Sequence, residues 1–219
     1  MDLPGLKHCL QLILVWAILW SGWVSAAEVE TGKQLAMQGN GKGAAPCVGC
    51  HGADGGGNAA ANFPRLAGLD GDYLAKQLQD FISGTRNNPI MQPIASALSK
   101  QEIDDVAAYY ASLPLPQRST QAQAVTSDSG KQLVELGDWN SVVPACIQCH
   151  GPGARGVGMH FPALAGQHAG YIESQLQAWR QGTRKNDPNQ LMKGVADRLD
   201  DSQVKAVSAY LASLPSKAD

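Results

Sequence analysis

The chain has 219 residues, a formal net charge of −2 and 44% hydrophobic residues. This length suits one large domain or two small ones, and the near-neutral charge excludes strong electrostatic binding to nucleic acid. Four of the five cysteines fall in two pairs, and the fifth, Cys9, lies near the N-terminus, so no disulfide is predicted.

The N-terminal residues 1–27 have the pattern of a secretory signal peptide. Lys7 precedes the apolar stretch 10–20, and small residues follow it. This pattern predicts cleavage near Ala26 or Ala27 and export to the periplasm. The alternative is a retained membrane anchor, although the apolar stretch is short for a span of about 20 residues.

Two pentapeptides fit C-x-x-C-H, the attachment signal for c-type haem. In this motif two thiols form thioethers with one porphyrin, and the adjacent imidazole ligates the iron. A zinc site or a redox dithiol is the alternative, but neither region offers a second ligand pair or a β-α-β pattern. The sequence therefore predicts two covalently bound haem c groups, attached and ligated by Cys47, Cys50 and His51, and by Cys146, Cys149 and His150.

Most of the chain around these motifs is repeated at an offset of about 100 residues. Residues 63–68 match residues 161–166, and the Gly-Thr-Arg segment 84–86 matches 182–184. One domain has therefore been duplicated, with one haem in each copy. The predicted organisation is a signal peptide at 1–27, a first domain at 28–116, a linker at 117–128 and a second domain at 129–219.

The hydrophobic periodicity predicts helices in both copies and no convincing strand. Each copy is expected to have an opening helix, a middle helix that ends at a glycine, and a last helix with a polar N-terminal cap. In chain order these are 30–38, 72–83 and a helix that starts at Ser99, then 129–136, 171–181 and a helix that starts at Asp200.

A methionine follows the middle helix of each copy, in an irregular loop long enough to reach the opposite haem face. Met91 and Met192 are therefore the predicted second iron ligands, since a thioether favours ferrous iron. Core packing is the alternative role of such methionines. Met159 competes with Met192, but it lies too close to His150 in the chain and is assigned to packing at the haem edge.

Two further pairs of residues each have more than one possible role. The carbonyls of Pro64 and Pro162 either accept the proximal imidazole N–H or belong to ordinary turns. Arg86 and Arg184 either pair with haem propionates or bridge the domains, or they are solvated residues at helix C-termini.

The repeated haem motifs, the Phe-Pro-x-Leu-Ala-Gly segments, the Gly-Thr-Arg motifs and the late methionines together resemble the cytochrome c4-type dihaem cytochromes. This resemblance implies an all-α fold, a tandem duplication of the class I cytochrome c domain with His/Met ligation. It also implies a periplasmic electron carrier, and not an enzyme, that takes single electrons from the quinol-oxidising complex or another donor to a terminal oxidase. Such a carrier is compatible with peripheral membrane association.

Two other functions are alternatives to the carrier. One is a cytochrome subunit of a membrane redox enzyme, and the other is a dihaem peroxidase or dehydrogenase, which needs an open or displaceable iron position.

The charge pattern adds a hypothesis about the two haems. Basic residues surround Met192 more densely than Met91, which predicts a higher potential for the second haem. These residues are Arg180, Arg184, Lys185 and Lys193.

Overall fold

The computed structural model describes residues 26–115 and 128–216, here called the first half and the second half. Most of the predicted signal peptide (1–25) and of the predicted linker (117–127) lies outside the described residues. Within the described residues the fold is helical, and β-structure is limited to isolated bridges. No helix in these two ranges is both long enough and apolar enough to cross a membrane.

Each half has the same order of five helices. The first half contains α1 Ala26–Gln38, α2 Val48–His51, α3 Gly71–Ser83, α4 Met91–Ser96 and α5 Lys100–Ser112. The second half contains α6 Asp128–Glu135, α7 Cys146–His150, α8 Ala169–Arg180, α9 Leu191–Ala196 and α10 Asp201–Ser213. Short 3-10 turns cover Ala59–Ala61, Pro152–Ala154 and Pro188–Gln190. The three predicted helices of each half are present, and their ends differ from the predicted bounds by a few residues.

The last helix of each half begins with the predicted polar cap. The Ser99 hydroxyl accepts the Glu102 N–H of α5, and the Glu102 carboxylate accepts the Ser99 N–H in return. Asp200 and Gln203 form the same reciprocal pair at the start of α10. These caps satisfy N–H groups that have no partner inside the helix, so the local sequence fixes where both helices start.

The opening and last helices of each half cross at a glycine. A Cβ atom on Gly32 of α1 would lie 2.0 Å from the Asp105 carbonyl oxygen of α5. A Cβ atom on Gly130 of α6 would lie 2.3 Å from the Ala206 carbonyl oxygen of α10. The backbones are therefore too close for any side chain at these two positions, and the crossings hold α5 and α10 in place against the opening helices.

The two halves meet through the loops that follow α3 and α8. Arg86 and Arg184 form an antiparallel bridge. The Asn87 N–H donates to the Thr183 carbonyl at 2.8 Å, and the Lys185 N–H donates to the Thr85 carbonyl at 2.7 Å. Arg86 thus pairs with its repeat counterpart, and the two flanking bonds are repeat equivalents of each other, so the halves are related by a pseudo-two-fold axis through this bridge.

Candidate haem-binding sites

The two C-x-x-C-H motifs form the short helices α2 and α7 and end at His51 and His150. Cys47 and Cys146 pack against the hydrophobic cores of their own halves. Burial raises the pKa of Cys146 to about 11 and raises that of Cys47 too, so both are protonated as free thiols. The four cysteines in the described residues form no disulfide, which leaves them free for thioether bonds.

Both motif histidines are buried and hydrogen-bonded through one ring nitrogen. The distance from His51 Nδ1 to the Pro64 carbonyl oxygen is 3.0 Å, and that from His150 Nδ1 to the Pro162 carbonyl oxygen is 2.8 Å. A carbonyl oxygen can only accept, so Nδ1 carries the proton and Nε2 is left as the metal-binding nitrogen. Of the two roles considered for these prolines, the structure supports the orientation of the imidazole.

Burial also lowers the pKa of both imidazoles, against the opposing effect of the hydrogen bond to the carbonyl. The positive charge of Arg184 lowers the pKa of His150 further. Both rings are therefore neutral at neutral pH, which is the form that ligates iron.

The predicted methionines lie in short helices and not in the irregular loops that the sequence indicated. The Asn88 side-chain oxygen accepts the Met91 N–H at 2.9 Å and so organises the start of α4. In the second half the Asp187 carboxylate accepts the Lys193 N–H at 2.9 Å, next to Met192 in α9. Side-chain acceptors of this kind stabilise a short helix. Such a helix is too short to show an apolar period in the sequence.

One cavity of about 880 Å³ extends through both halves and brings the predicted site residues together. Pro64 and Pro162, which hold the histidines, line it. So do all eight predicted site residues, namely Cys47, Cys50, His51, Met91, Cys146, Cys149, His150 and Met192. Met159 lines the cavity as well.

The polar lining of this cavity fits a group that carries carboxylates. Among the described residues that line it, four are cationic, namely Arg65, Lys76, Arg86 and Arg184, and one is anionic, Asp187. Three buried donors in its wall have no hydrogen-bond partner: Arg65 Nε, the Tyr110 hydroxyl and Trp179 Nε1. A haem is apolar over its faces and acidic at one edge, so this wall suits it.

The zinc alternative finds no support in the arrangement of side chains. Within the described residues, no three side chains from among His, Cys, Asp and Glu come close enough together to hold a metal ion. Each motif therefore offers one imidazole and two thiols, without the further ligands that a closed zinc site needs.

Arg86 and Arg184 are buried between the halves, so of their alternative roles the solvated helix end is wrong and the bridge between the domains is correct. Arg86 donates to Gln77 Oε1 at 3.0 Å in its own half and to Gln175 Oε1 at 2.8 Å in the other. Arg184 reverses this, donating to Gln175 Oε1 at 2.9 Å and to Gln77 Oε1 at 3.1 Å. We call these residues, with Tyr73 and Tyr171, the arginine cluster.

The tyrosines complete the arginine cluster in the same crossed manner. Arg86 donates to the Tyr171 hydroxyl at 2.6 Å. Burial alone would raise the pKa of Tyr73, but the charges of Arg184 and Arg86 bring it below its usual value. Each guanidinium also lies over an aromatic ring of its own half, Phe81 at 4.6 Å and Trp179 at 4.0 Å.

A second contact between the halves, around Arg65, was missed by the sequence reasoning. The Arg65 N–H donates to Gln167 Oε1 at 2.9 Å, and Gln167 Nε2 donates back to the Arg65 carbonyl at 3.0 Å. His168 Nε2 bonds to the Gly56 carbonyl at 2.9 Å nearby. The repeat holds a signal for it: Arg65 stands where the second copy has Ala163, and a lone arginine inside an apolar segment is unusual.

The geometry therefore defines a class of protein. Two covalent attachment motifs, two oriented imidazoles and two methionines at matching places in the repeat line one apolar cavity with a cationic wall, and this is the arrangement of a dihaem c-type cytochrome.

Comparison with known proteins agrees with this class. The cytochrome c family model matches residues 29–114 and 127–215. A thiosulfate dehydrogenase electron acceptor of Stutzerimonas stutzeri strain A1501 is 50% identical over 197 residues, 87% of this chain and 89% of that protein. The crystal structure of reduced cytochrome c4 from Pseudomonas stutzeri is 35% identical with a TM-score of 0.74, covering 85% of this chain and 98% of that one.

A thiosulfate dehydrogenase of Marichromatium purpuratum is also similar, at 44% identity and a TM-score of 0.79. The match covers 86% of this chain and 40% of that longer one. The chain belongs to the cytochrome c family and, within it, to the cytochrome c4-type dihaem electron carriers. It carries two covalently bound haem c groups, one in each family domain.

Proposed function

We propose that this protein is a periplasmic carrier that accepts single electrons from a thiosulfate dehydrogenase and passes them to a terminal oxidase. The observation that carries the donor assignment is the 50% identity, over nearly the whole chain, to a protein named as the electron acceptor of that enzyme. The predicted donor, the quinol-oxidising complex, is the second candidate, and membership of the c4-type family favours it. Exchange of single electrons suits either donor.

The proposed ligand set follows the paired geometry of the two halves. His51 and His150 are the proximal iron ligands, and Met91 and Met192 are the distal ligands. The four motif cysteines, Cys47, Cys50, Cys146 and Cys149, attach the haems. The proposed domains are those of the repeat, 28–116 and 129–219, behind a cleaved signal peptide.

The chain's own residues explain why such sites carry electrons. Bound haem iron changes its charge by one electron between the ferric and ferrous forms. The Pro64 and Pro162 carbonyls hold each imidazole in one orientation, so the iron ligand need not move when the charge changes. The arginine cluster fixes the two sites relative to each other. With both axial positions occupied by protein, no position is left for peroxide, and we propose that native peroxidase turnover is negligible.

The donor can be tested with the oxidised holoprotein and two purified donors. One reaction contains a thiosulfate dehydrogenase and thiosulfate, and the other contains a quinol-oxidising complex and quinol. Reduction is followed by the absorption of the ferrous α-band in stopped flow. The proposal predicts that the first reaction is faster by at least about tenfold at equal donor concentration, which corresponds to roughly 1.4 kcal/mol in the barrier.

Reactions without enzyme give the background rate for each substrate. Faster reduction by the quinol-oxidising complex would transfer the donor role to it and leave the haem sites unchanged. Rapid turnover of peroxide by the native protein would instead contradict the carrier function itself.

A further inference from the structure

Arg65 is a buried cation that the repeat does not account for, since the second half has Ala163 in its place. Its side chain lines the cavity and only 2% of the residue is exposed. No carboxylate of the described residues pairs with its guanidinium, and its Nε–H has no hydrogen-bond partner. Burial lowers the pKa of Arg65 to about 10, so the side chain remains charged at neutral pH.

The guanidinium lies between equivalent points of the two halves. Its Nη1 donates to the Ala67 carbonyl at 2.6 Å, and its Nη2 donates to the Ala165 carbonyl at 3.1 Å. Ala67 and Ala165 are repeat counterparts, and each lies three residues after the proline that holds its proximal histidine. The charge is thus placed near the pseudo-two-fold axis, beside the proximal segments of both sites.

A buried charge acts over a longer distance than an exposed one, since little water or salt screens it. The other cations of the wall differ from Arg65 in their partners. Arg86 and Arg184 form a symmetric pair, and Lys76, which like Arg65 has no cationic counterpart in the second half, is bonded to Asp80 at 2.5 Å. Among the described cavity cations, Arg65 alone bonds to equivalent backbone carbonyls of both halves.

We propose that Arg65 is a shared electrostatic regulator of both haems, whose positive charge stabilises the ferrous state of each and raises both reduction potentials. A residue with this role positions charge and does not touch the iron.

The test is a spectroelectrochemical titration of the holoprotein carrying Arg65→Met, which removes the charge and keeps most of the volume. At an effective dielectric constant of about 20 and a separation of about 10 Å, losing a unit charge shifts each reduction equilibrium by about tenfold. That change is about 59 mV for a one-electron couple. Both titration waves are expected to fall by similar amounts, and the shift should persist at high salt because the site is buried.

Three variants separate charge from structure. Arg65→Lys keeps the charge and should leave both potentials near their original values. Gln167→Leu breaks the cross-half hydrogen bonds of the Arg65 backbone and should also leave them unchanged. Arg198→Met removes an exposed cation that bonds to the Gly194 carbonyl, and should have no measurable effect. Arg65→Gln replaces Arg65→Met if that variant does not fold.

A fall in only one wave would overturn the shared role. So would unchanged potentials in the uncharged variants, or equal falls in Arg65→Lys and Arg65→Met, because the effect would then come from altered packing.

Discussion

The two halves agree closely where the motif histidines are held and differ elsewhere in the lining of the cavity. His51 and His150 bond to equivalent proline carbonyls, with donor–acceptor distances that differ by only 0.2 Å. In the same lining, Tyr110 of the first half is replaced by Leu211, and the buried Phe81 is replaced by Trp179. The duplicated sites therefore orient their histidines in the same way, while the remaining lining is free to differ in polarity.

The outer surfaces also differ in the segment that precedes each haem motif. In the second half this segment exposes Leu136, Trp139 and Val142, and Trp139 is 70% exposed. In the first half the counterparts of Leu136 and Trp139 are Gln38 and Gly41. At these two places the second half thus exposes apolar side chains where the first half has a polar residue and a glycine.

The strongest test of equivalent iron sites is the loss of each predicted distal ligand. Met91→Ala and Met192→Ala should each remove one of two Met–iron absorption bands and lower one reduction potential by at least about tenfold in the equilibrium constant, about 59 mV. Met159→Ala is the control and should keep both bands. If Met159→Ala loses a band and Met192→Ala keeps both, the second half uses a different ligand from the first.

The pseudo-symmetry of the arginine cluster predicts equal costs on its two sides. Arg86→Met and Arg184→Met each remove hydrogen bonds to the two glutamine oxygens and to one tyrosine hydroxyl between the halves, so each should lower the free energy of unfolding by about 3 kcal/mol. Denaturant unfolding of the holoprotein measures this. Arg180→Met removes a guanidinium paired with the exposed Asp201 and should cost under about 1 kcal/mol. A difference above about 1 kcal/mol between the two cluster variants would show that the interface is energetically one-sided.

A smaller effect is expected at a position where the first half has a helix cap and the second half has none. The Asp70 side chain caps α3, whereas its counterpart His168 has no capping bond and reaches Gly56 in the other half. His168→Ala should therefore cost about 1 kcal/mol, the usual value of one hydrogen bond. The exposed His160 provides the control variant. Equal stability of wild type and His168→Ala would mean that this cross-half bond contributes nothing.

The smallest expected effect is an acid sensitivity at the start of α10. Hydrogen bonds from Ser202 and Gln203 hold the pKa of Asp200 below its ordinary value of 3.8. A depressed folded-state pKa gives stability that is present above 3.8 and is lost as the pH falls through the lower folded value. Asp200→Asn should thus be slightly less stable than wild type at pH 7, and the gap should close below pH 3.8. A stability difference that does not change with pH would exclude the carboxylate charge as its source.

The sequence predicted those features that depend on short segments. The haem motifs, the duplication and the helix caps at Ser99 and Asp200 are all local, and the structure has the same helices with small shifts at their ends. The helical turns of Met91 and Met192 were not predicted, because each is too short to show an apolar period and is held by a side chain that precedes it, Asn88 or Asp187.

Features that depend on tertiary contacts were harder to predict. The charge pattern around Met192 suggested a higher potential for the second haem. In the structure Arg180 pairs with Asp201 at 2.6 Å and Lys193 pairs with Asp197 at 2.8 Å, and Arg184 is matched by Arg86. The residues that pair with these charges lie 4 to 98 positions away in the chain. The number of basic residues near Met192 in the sequence therefore overestimates the combined electric field of those residues. The physical basis of that hypothesis is correspondingly weaker, and Arg65 becomes the cation to measure first.

The crossed loop pairing between Thr85 and Lys185, and between Asn87 and Thr183, has the geometry of a symmetric homodimer interface. In a true homodimer one substitution would change both ends of such an interface at once. Fusion into a single chain removes that constraint, because each end is now encoded separately. The Asp80 carboxylate accepts a hydrogen bond from Asn186 of the other half at 2.6 Å, whereas its counterpart Ala178 has no polar side chain. The two ends of this interface have therefore changed independently.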